Sequence, residues 1–277
     1  MRVSKYGVAL AALAAGSMAV SGCSEKKDSS IADKDKLVIG VKYDQPALGQ
    51  KTGSGVEGFD VDVANYIAKK MGKSVEFKEA KSGNRESFLA NGTVDMIIAT
   101  YSITPARKPK VTFAGPYIIT HQDIMVRGND NSIKDLAALK GKKLCAVQGS
   151  NSWKNITEGT NKDKVKVAAK TIPAQGYDEC ITQLKGGTID AVSTDATILA
   201  GFVNREGSAL KVANSPFTDE KYGVGIKKGD EKGCEAVNKA ITDMYKDGTA
   251  KTLWDKWFGK AGLPFEANQP PAEGCKA

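Results

Sequence analysis

The sequence predicts an α/β protein built from two similar lobes, and three observations carry this prediction. Apolar runs short enough for buried strands alternate with helical patterns in the order β-α-β-α-β over residues 37–99. The stretch 142–195 repeats that plan. The tetrapeptide GTVD at 92–95 recurs as GTID at 187–190, at matching points of the two layouts. Each lobe is therefore expected to be a mostly parallel sheet flanked by helices.

Each element of the first layout has a local signal. Asp60 or Asp62 can cap a helix that ends at Gly72, and Asn91-Gly92 ends a second helix that opens near Asn84. The expected elements are strand 37–41, helix 60–71, strand 75–77, helix 84–92 and strand 96–99.

Apolar runs and helical patterns also predict the elements of the second layout and of the C-terminal part. Trp254, Trp257 and Phe258 are expected to pack in the core or on the lobe surface. The expected elements are strands 142–147, 165–167 and 188–193, helix 178–185, a return strand 222–226, and helices 234–245 and 249–258.

Polar side chains follow strand 96–99, where ligands bind in open α/β sheets. Thr100 and Ser102 supply hydroxyl groups, and Arg107 supplies a planar two-pronged donor. Thr100, Ser102 and Arg107 together are typical of a carboxylate-binding site, which we call the cup. The alternative is an ordinary strand leading into a solvated loop.

The second lobe presents an acid at the equivalent place. Thr100 lies five residues after Asp95, and Asp195 lies five residues after Asp190. Arg107 and Asp195 have complementary charge for the carboxylate and ammonium of an α-amino acid, and burying either one unpaired would be costly. The alternative for Asp195 is a helix N-cap, and the two roles are compatible.

The first segment of the chain has the pattern of an export signal. Residues 1–22 hold Arg2, Lys5 and a short apolar run, which fits a signal peptide, and the run ends at Cys23 in a sequence that resembles the bacterial lipobox. The alternative is a plain signal peptide with a chance cysteine. Residues 23–35 are polar and predict a flexible tether. The body is expected to be lipid-anchored at the extracytoplasmic face of the cell membrane.

Charge and composition narrow the function. The net charge falls from +8 to +6 when residues 1–22 are removed, which suits an anionic small ligand or cell surface. The lysines do not form the basic-aromatic clusters of a nucleic-acid binder. His121 is the single histidine, and no catalytic triad, metal spacing or phosphate loop is present. No enzyme activity, metal or cofactor is expected.

The cysteines fit an exported protein. Besides Cys23, four cysteines remain, and four cysteines allow three pairings. Their positions favour Cys145–Cys180 in the middle region and Cys234–Cys275, which would pin the Pro-rich C-terminal tail to the body.

Five stretches together resemble the family-3 extracellular solute-binding proteins of amino-acid ABC transporters. The resemblance covers about residues 36–260, and its carriers are GFDVDVANYIAKKMG (58–72), NGTVDMII with SITPARKPKVTFAGPY (91–117), QGSNS (148–152), GGTIDAVSTD (186–195) and DGTAKTLWDKWFG (247–259). It implies a periplasmic-binding-protein-like fold of type II with a two-strand hinge. Lobe 1 would comprise residues 36–120 and 218–260, lobe 2 residues 121–217, and the tail residues 261–277. The partners would be an amino acid and a membrane permease, and the chain would act as a monomer.

The resemblance also implies a binding site. Arg107 would hold the ligand α-carboxylate and Asp195 the α-ammonium. Four further positions match residues that bind the ligand backbone: Thr100, Ser102, Ser150 and Asn151.

Side-chain specificity rests on two more cations at the same rim, Lys42 and Arg85, which suggest a ligand with a second carboxylate. They and Gln175 resemble the glutamate/aspartate-binding branch, although that branch can have His where Gln175 stands. The alternative for Lys42 and Arg85 is solvated surface charge.

We therefore expect a receptor that captures L-glutamate, with aspartate as a possible second ligand, and delivers it to a permease. The first alternative is a receptor for glutamine, asparagine or another polar amino acid. A sensory lipoprotein could use the same cleft, and some dehydratases share the fold.

Overall fold

The computed structural model describes residues 30–276, so the predicted signal peptide and the lipidation site Cys23 lie outside the described residues. The first part of the chain contains β1 (Lys36–Val41), β2 (Asp44–Gln45), β3 (Gly49–Thr52), β4 (Gly55–Glu57), α1 (Phe59–Lys70), β5 (Ser74–Glu79), α2 (Arg85–Ala90), β6 (Met96–Ile97) and β7 (Val111–Thr120). The middle contains β8 (Gln122–Arg127), β9 (Lys143–Val147), α3 (Ser152–Thr157), β10 (Lys170–Ala174), α4 (Tyr177–Lys185), β11 (Val192–Asp195), α5 (Ala196–Glu206) and β12 (Leu210–Val212). The last part contains β13 (Glu220–Lys227), α6 (Glu231–Lys246) and α7 (Thr249–Phe258).

Lobe 1 is built on a five-stranded sheet in the order β5-β1-β6-β13-β7. β1 runs parallel to both β5 and β6, whereas β13 is antiparallel to β6 and β7. β1 and β6 are buried on both sides because helices cover the sheet, so they read as short apolar runs instead of alternating patterns.

Lobe 2 repeats this order. β9 pairs in parallel with β10, and a single parallel bridge between Leu144 and Ala191 joins β9 to the β11 edge of the sheet β11-β8-β12. The carboxyl ends of β1 and β6 in lobe 1, and of β9 and β11 in lobe 2, carry the residues that the sequence singled out. The prediction of two lobes with equivalent βαβ layouts is confirmed.

Two chain crossings join the lobes. β7 of lobe 1 passes through His121 directly into β8 of lobe 2. The chain returns beside it, where Thr218 Oγ1 accepts from the Gln122 N–H (3.0 Å) and Glu220 pairs with Thr120 in the β-ladder. The single histidine, His121, therefore lies where the chain crosses from lobe 1 to lobe 2.

The C-terminal tail is tied to lobe 1. Cys234–Cys275 and Cys145–Cys180 are both disulfide-bonded, so the favoured pairing is confirmed. Phe265 lies against Tyr245 with ring centroids 6.1 Å apart, and the Glu273 N–H donates to Gly115 O at 3.0 Å. The tail is thus held by a covalent bond, a ring contact and backbone pairing.

Three local expectations differ from the structure. Residues 165–167 do not form a strand, because the Asn161 side chain bonds both the N–H and the carbonyl of Val165 and closes a loop; β10 supplies that strand instead. Helix α1 is capped by Gly58, not by an aspartate. Ile31, within the expected tether, is buried in the core, so the chain is folded against the body from Ser30 onward.

Candidate functional site

The end of β6 forms a tightly held backbone turn. Thr100 has φ 47°, a left-handed conformation that is rare for a β-branched residue. The Asp60 carboxylate, fully buried in the first turn of α1, holds this turn by accepting from the Thr100 N–H and the Tyr117 hydroxyl, each at 2.8 Å. Strain of this kind is maintained where surrounding contacts determine the backbone, as at binding sites.

Arg107 lies beside this turn and is 7% exposed. One guanidinium nitrogen, Nη1, donates to Ser102 O at 2.8 Å, and Nε lies 3.5 Å from a Glu86 carboxylate oxygen. The other nitrogen, Nη2, donates across the cleft to Gly149 O of lobe 2 at 3.1 Å. The structure therefore confines the guanidinium between the two lobes.

Arg85, 2% exposed, is the second buried cation. Its Nη1 donates to the carbonyls of Ala99 and Thr100, and its Nη2 donates to the same Gly149 O at 3.2 Å. Burial, and next the charge of Arg107, lower the pKa of Arg85 to about 10. Arg85 thus stabilises the backbone turn at Thr100 and also contacts lobe 2.

The two arginines share an aromatic neighbour. The Arg85 and Arg107 guanidinium carbons lie 4.3 and 4.9 Å from the centroid of the Tyr101 ring. Cation–π contacts of this kind favour burial of the guanidinium groups.

Lys42, at the end of β1, is the third buried cation and is 3% exposed. Its Nζ donates to Ser82 Oγ at 2.7 Å, and among residues 30–276 no carboxylate lies within 4.0 Å of Nζ. Burial, and next the charge of Arg85, lower the pKa of Lys42 to about 7. The alternative of solvated surface charge is wrong for both Lys42 and Arg85, because both side chains are enclosed.

The acid side of the site is centred on Asp195, which is 4% exposed. It occupies the N-cap position of α5, but its side chain makes no capping hydrogen bond. Oδ2 accepts from the Tyr222 hydroxyl at 2.5 Å, whereas Oδ1 is buried without a hydrogen-bond partner among the described residues. The Gln122 side chain lies close enough to Asp195 to favour its ionised carboxylate. The Gln122 amide nitrogen Nε2, however, donates to Ser152 Oγ.

Two neighbours set the charge state of Asp195. Burial, and next the negative charge of Glu220, raise the pKa of Asp195 to about 7, against the effect of the Tyr222 hydrogen bond. An ammonium group beside Oδ1 would reverse this shift, because an opposite charge favours the ionised carboxylate.

The predicted lobe 2 residues lie in different environments. Ser150 is buried, and its Oγ lies 3.0 Å from the Tyr177 hydroxyl and accepts from the Ser152 N–H at 3.1 Å. Asn151 is half-buried, and its side chain lies near Glu220. Gln175 has an exposed side chain, and its N–H donates to Glu179 at 2.8 Å, so the structure provides no support for Gln175 as a ligand contact.

Sequence reasoning missed several buried polar residues of this site. Asp60 was interpreted only as a helix cap, because its acceptor role depends on the tertiary position of Thr100. The available signal for Glu220 and Tyr222 was their spacing of two in the return strand, which puts both side chains on one face. The missed residues are Asp60, Tyr117, Tyr177, Glu220 and Tyr222.

Taken together, lobe 1 places three buried cations at the cleft, lobe 2 places the buried Asp195 opposite them, and the buried Glu220 lies at the hinge. This arrangement suits a small zwitterion that carries additional negative charge. Within residues 30–276, no cluster of His, Cys, Asp or Glu could hold a metal ion.

The described part of the chain contains seven α-helices. None of those in residues 30–276 is long and apolar enough to cross a bilayer.

Comparison with known proteins agrees with this geometry. Residues 37–260 match the model of the bacterial extracellular solute-binding proteins, family 3. The glutamate-binding protein GluB of Corynebacterium glutamicum is 36% identical over 287 residues, covering 96% of this chain and 94% of that protein. The ABC transporter glutamine-binding protein GlnH of Bacillus subtilis is 37% identical over 251 residues, covering 88% and 89%.

A solved structure gives the same fold. An ancestral arginine-binding protein bound to arginine superposes with a TM-score of 0.75 at 36% identity, covering 82% of this chain and 99% of that one. These relatives are binding proteins, which confirms that the chain is not an enzyme. The chain therefore belongs to the bacterial extracellular solute-binding proteins, family 3, and is an amino-acid receptor of an ABC transporter.

Proposed function

We propose that the physiological ligand is L-glutamate. The observation that carries this proposal is the buried Lys42 ammonium, which has a hydroxyl partner and no carboxylate within 4.0 Å among the described residues. A cation left this way is costly, and a ligand carboxylate would compensate it. Because Arg107 serves the carboxylate that all amino acids have, Lys42 and Arg85 are left for a second one.

In this proposal the ligand spans the cleft. Its α-carboxylate binds Arg107 and the Thr100–Ser102 turn, its ammonium binds Asp195 Oδ1, and its side-chain carboxylate binds near Lys42. Ser150 and Asn151 close over it from lobe 2. Ligand binding then shifts the population toward the closed form, because the ligand contacts both lobes only in that form.

Similarity to GluB supports glutamate, since that relative aligns over almost the whole of both chains. Glutamine is the second candidate, supported by the similarity to GlnH. The lowered pKa of Lys42 also supports it, because a neutral Lys42 amine could face the side-chain amide of glutamine. Aspartate is one methylene shorter and would have to move away from Lys42 or Arg107.

Calorimetric titration of the mature chain with glutamate, aspartate, glutamine and asparagine tests the assignment. We expect glutamate to bind at least about tenfold more tightly than glutamine, equivalent to about 1.4 kcal/mol. Equal affinities for glutamate and glutamine would rule out the acidic ligand.

We also propose that the mature chain is a monomer anchored through a lipid on Cys23 and faces the extracytoplasmic side. The motivating feature is the cysteine at the end of the apolar run in residues 1–23. Cys23→Ser should release the protein from the membrane fraction into the medium. Retention of the variant in the membrane fraction would contradict the anchor.

A further inference from the structure

Glu220 is a buried acid that the binding scheme above does not use. It lies at the start of β13, where the chain returns across the hinge, and is 4% exposed. Tyr222 lies two residues further along the same strand, so both side chains project from one face. Tyr222 donates to Asp195, and the charge of Glu220 raises the pKa of Asp195, which puts both beside the ammonium site.

Glu220 lies among neutral polar groups of both lobes. Burial raises the pKa of Glu220, whereas the side chains of Ser102 of lobe 1, Asn151 of lobe 2 and Thr218 of the return segment lie close enough to lower it. Asn155 Nδ2 of helix α3 also approaches Glu220 Oε1 at 3.3 Å. Among residues 30–276, no lysine or arginine forms an ion pair with it within 4.0 Å.

The cleft therefore holds two buried carboxyl groups, and the charge of Arg107 acts on both, although among the described residues neither forms an ion pair with it within 4.0 Å. Asp195 Oδ1 also has no hydrogen-bond partner among the described residues. Two carboxylates in one buried site repel each other unless a cation is shared between them. An ammonium group has three N–H donors, which is enough to serve Oδ1 and a second acceptor.

We propose that Glu220 is the second acid of the ammonium site, so that the ligand α-ammonium is recognised by a carboxylate from lobe 2 and one from the hinge strand. This makes Glu220 a specificity residue that selects α-amino acids over carboxylic acids without the amine. It also couples the ligand ammonium to the hinge, because β13 connects the two lobes. The inference rests on the proposed amino-acid pose, with glutamate as its probe.

The test compares glutamate with glutarate, which has both carboxylates and lacks the amine. Calorimetry on the mature wild-type chain should show a strong preference for glutamate. Glu220→Gln, which keeps the shape and removes the charge, should weaken glutamate at least about tenfold while glutarate binds equally or more tightly. An equal loss for both ligands would overturn the proposal, because it would indicate a structural role alone.

Two further variants complete the test. Thr218→Val removes the neighbouring hydroxyl that accepts from the Gln122 N–H and keeps the charge of Glu220, so it should leave the glutamate-to-glutarate ratio unchanged. A Thr218→Val ratio as low as that of Glu220→Gln would contradict the charge role. If thermal unfolding shows that Glu220→Gln is not folded, Glu220→Asp decides: a lowered ratio supports the proposal and an unchanged ratio overturns it.

Failure of the glutamate assignment can be separated from failure of this inference. If glutamine binds best, the same variants are titrated with glutamine and with its deamino analogue, 4-carbamoylbutanoate. Glu220→Gln should then lower the preference for glutamine over 4-carbamoylbutanoate, since the ammonium is common to all amino acids.

Discussion

The Arg107 guanidinium of lobe 1 donates to the Gly149 carbonyl of lobe 2 across 3.1 Å. Arg85 donates to the same oxygen at 3.2 Å, so a single carbonyl receives both arginines. The groups that we propose to bind the ligand carboxylates thus also connect the two lobes. In this proposal, closure and recognition share the same side chains.

Gly149 is a glycine of lobe 2 whose backbone lies close to the backbone of lobe 1. It has φ 76°, and a Cβ added there would lie 2.5 Å from Gly83 Cα in lobe 1. Gly149→Ala should therefore prevent full closure and weaken every amino acid by about tenfold or more. Gly141→Ala is the matched control, because Gly141 has φ 74° and no described atom lies within 4 Å of its added Cβ. Small-angle scattering with saturating ligand should show an extended form for Gly149→Ala, and equal affinities of both variants would contradict this role.

Arg107 should be required for all amino acids. Arg107→Ala removes one partner of a buried charge contact, which costs about 2–5 kcal/mol, so we expect at least about 30-fold weaker binding of both glutamate and glutamine. Lys108→Ala is the control, since Lys108 is half exposed and pairs with Glu273 away from the cleft. Calorimetry measures both variants. Loss of glutamate alone would assign Arg107 to the side-chain carboxylate instead.

Glutamate affinity should depend on pH in two directions. Lys42 has a pKa of about 7, and a bound carboxylate would raise it, so binding takes up a proton and affinity falls as pH rises from 7 to 9. Asp195 also has a pKa of about 7, and a bound ammonium would lower it, so binding releases a proton and affinity falls as pH drops below 7. The optimum is therefore expected near pH 7.

Glutamine provides the control for this profile. It has the amine but no side-chain carboxylate, so it should share the acid limb and lack the Lys42-dependent part of the alkaline limb. Titrations in buffers with different heats of ionisation measure the protons directly. Identical profiles for the two ligands would show that Lys42 does not face the ligand carboxylate.

The Cys234–Cys275 disulfide should affect stability and not affinity. It joins residues 41 apart in sequence and holds the tail on the outside of lobe 1. A loop of that size corresponds to about 4 kcal/mol of stabilisation in the chain-entropy description. Changing both cysteines to serine should lower the melting temperature and leave glutamate affinity within about twofold of wild type. A larger loss of affinity would show that the tail influences the cleft.

The sequence was sufficient for the features that local rules determine. Three features predicted that Arg107 and Asp195 lie in one cleft. They are the strand ends, the repetition of GTVD as GTID, and the complementary charges of the two residues. The same rules failed for residues 165–167, since the side chain of Asn161 satisfies that backbone without a sheet partner. Asp60 and Glu220 were not found, because their partners are distant in sequence and only folding brings them together.

Arg85 shows a different limit. The sequence identified it as a cation at the rim, and the structure shows that it also satisfies the backbone carbonyls of Ser82, Ala99 and Thr100. Its replacement would disturb the cup as well as the charge. Lys42, with its single hydroxyl partner, is therefore the better position at which to test ligand charge.

The most direct test of the glutamate assignment is the ratio of glutamate to glutamine affinity in the wild-type chain and in Lys42→Met. Methionine keeps much of the length of the side chain and removes its charge. We predict that the wild type prefers glutamate, and that Lys42→Met lowers glutamate affinity by about tenfold or more while changing glutamine affinity by less than about threefold. A wild type without preference, or a Lys42→Met variant that weakens both ligands equally, would contradict it.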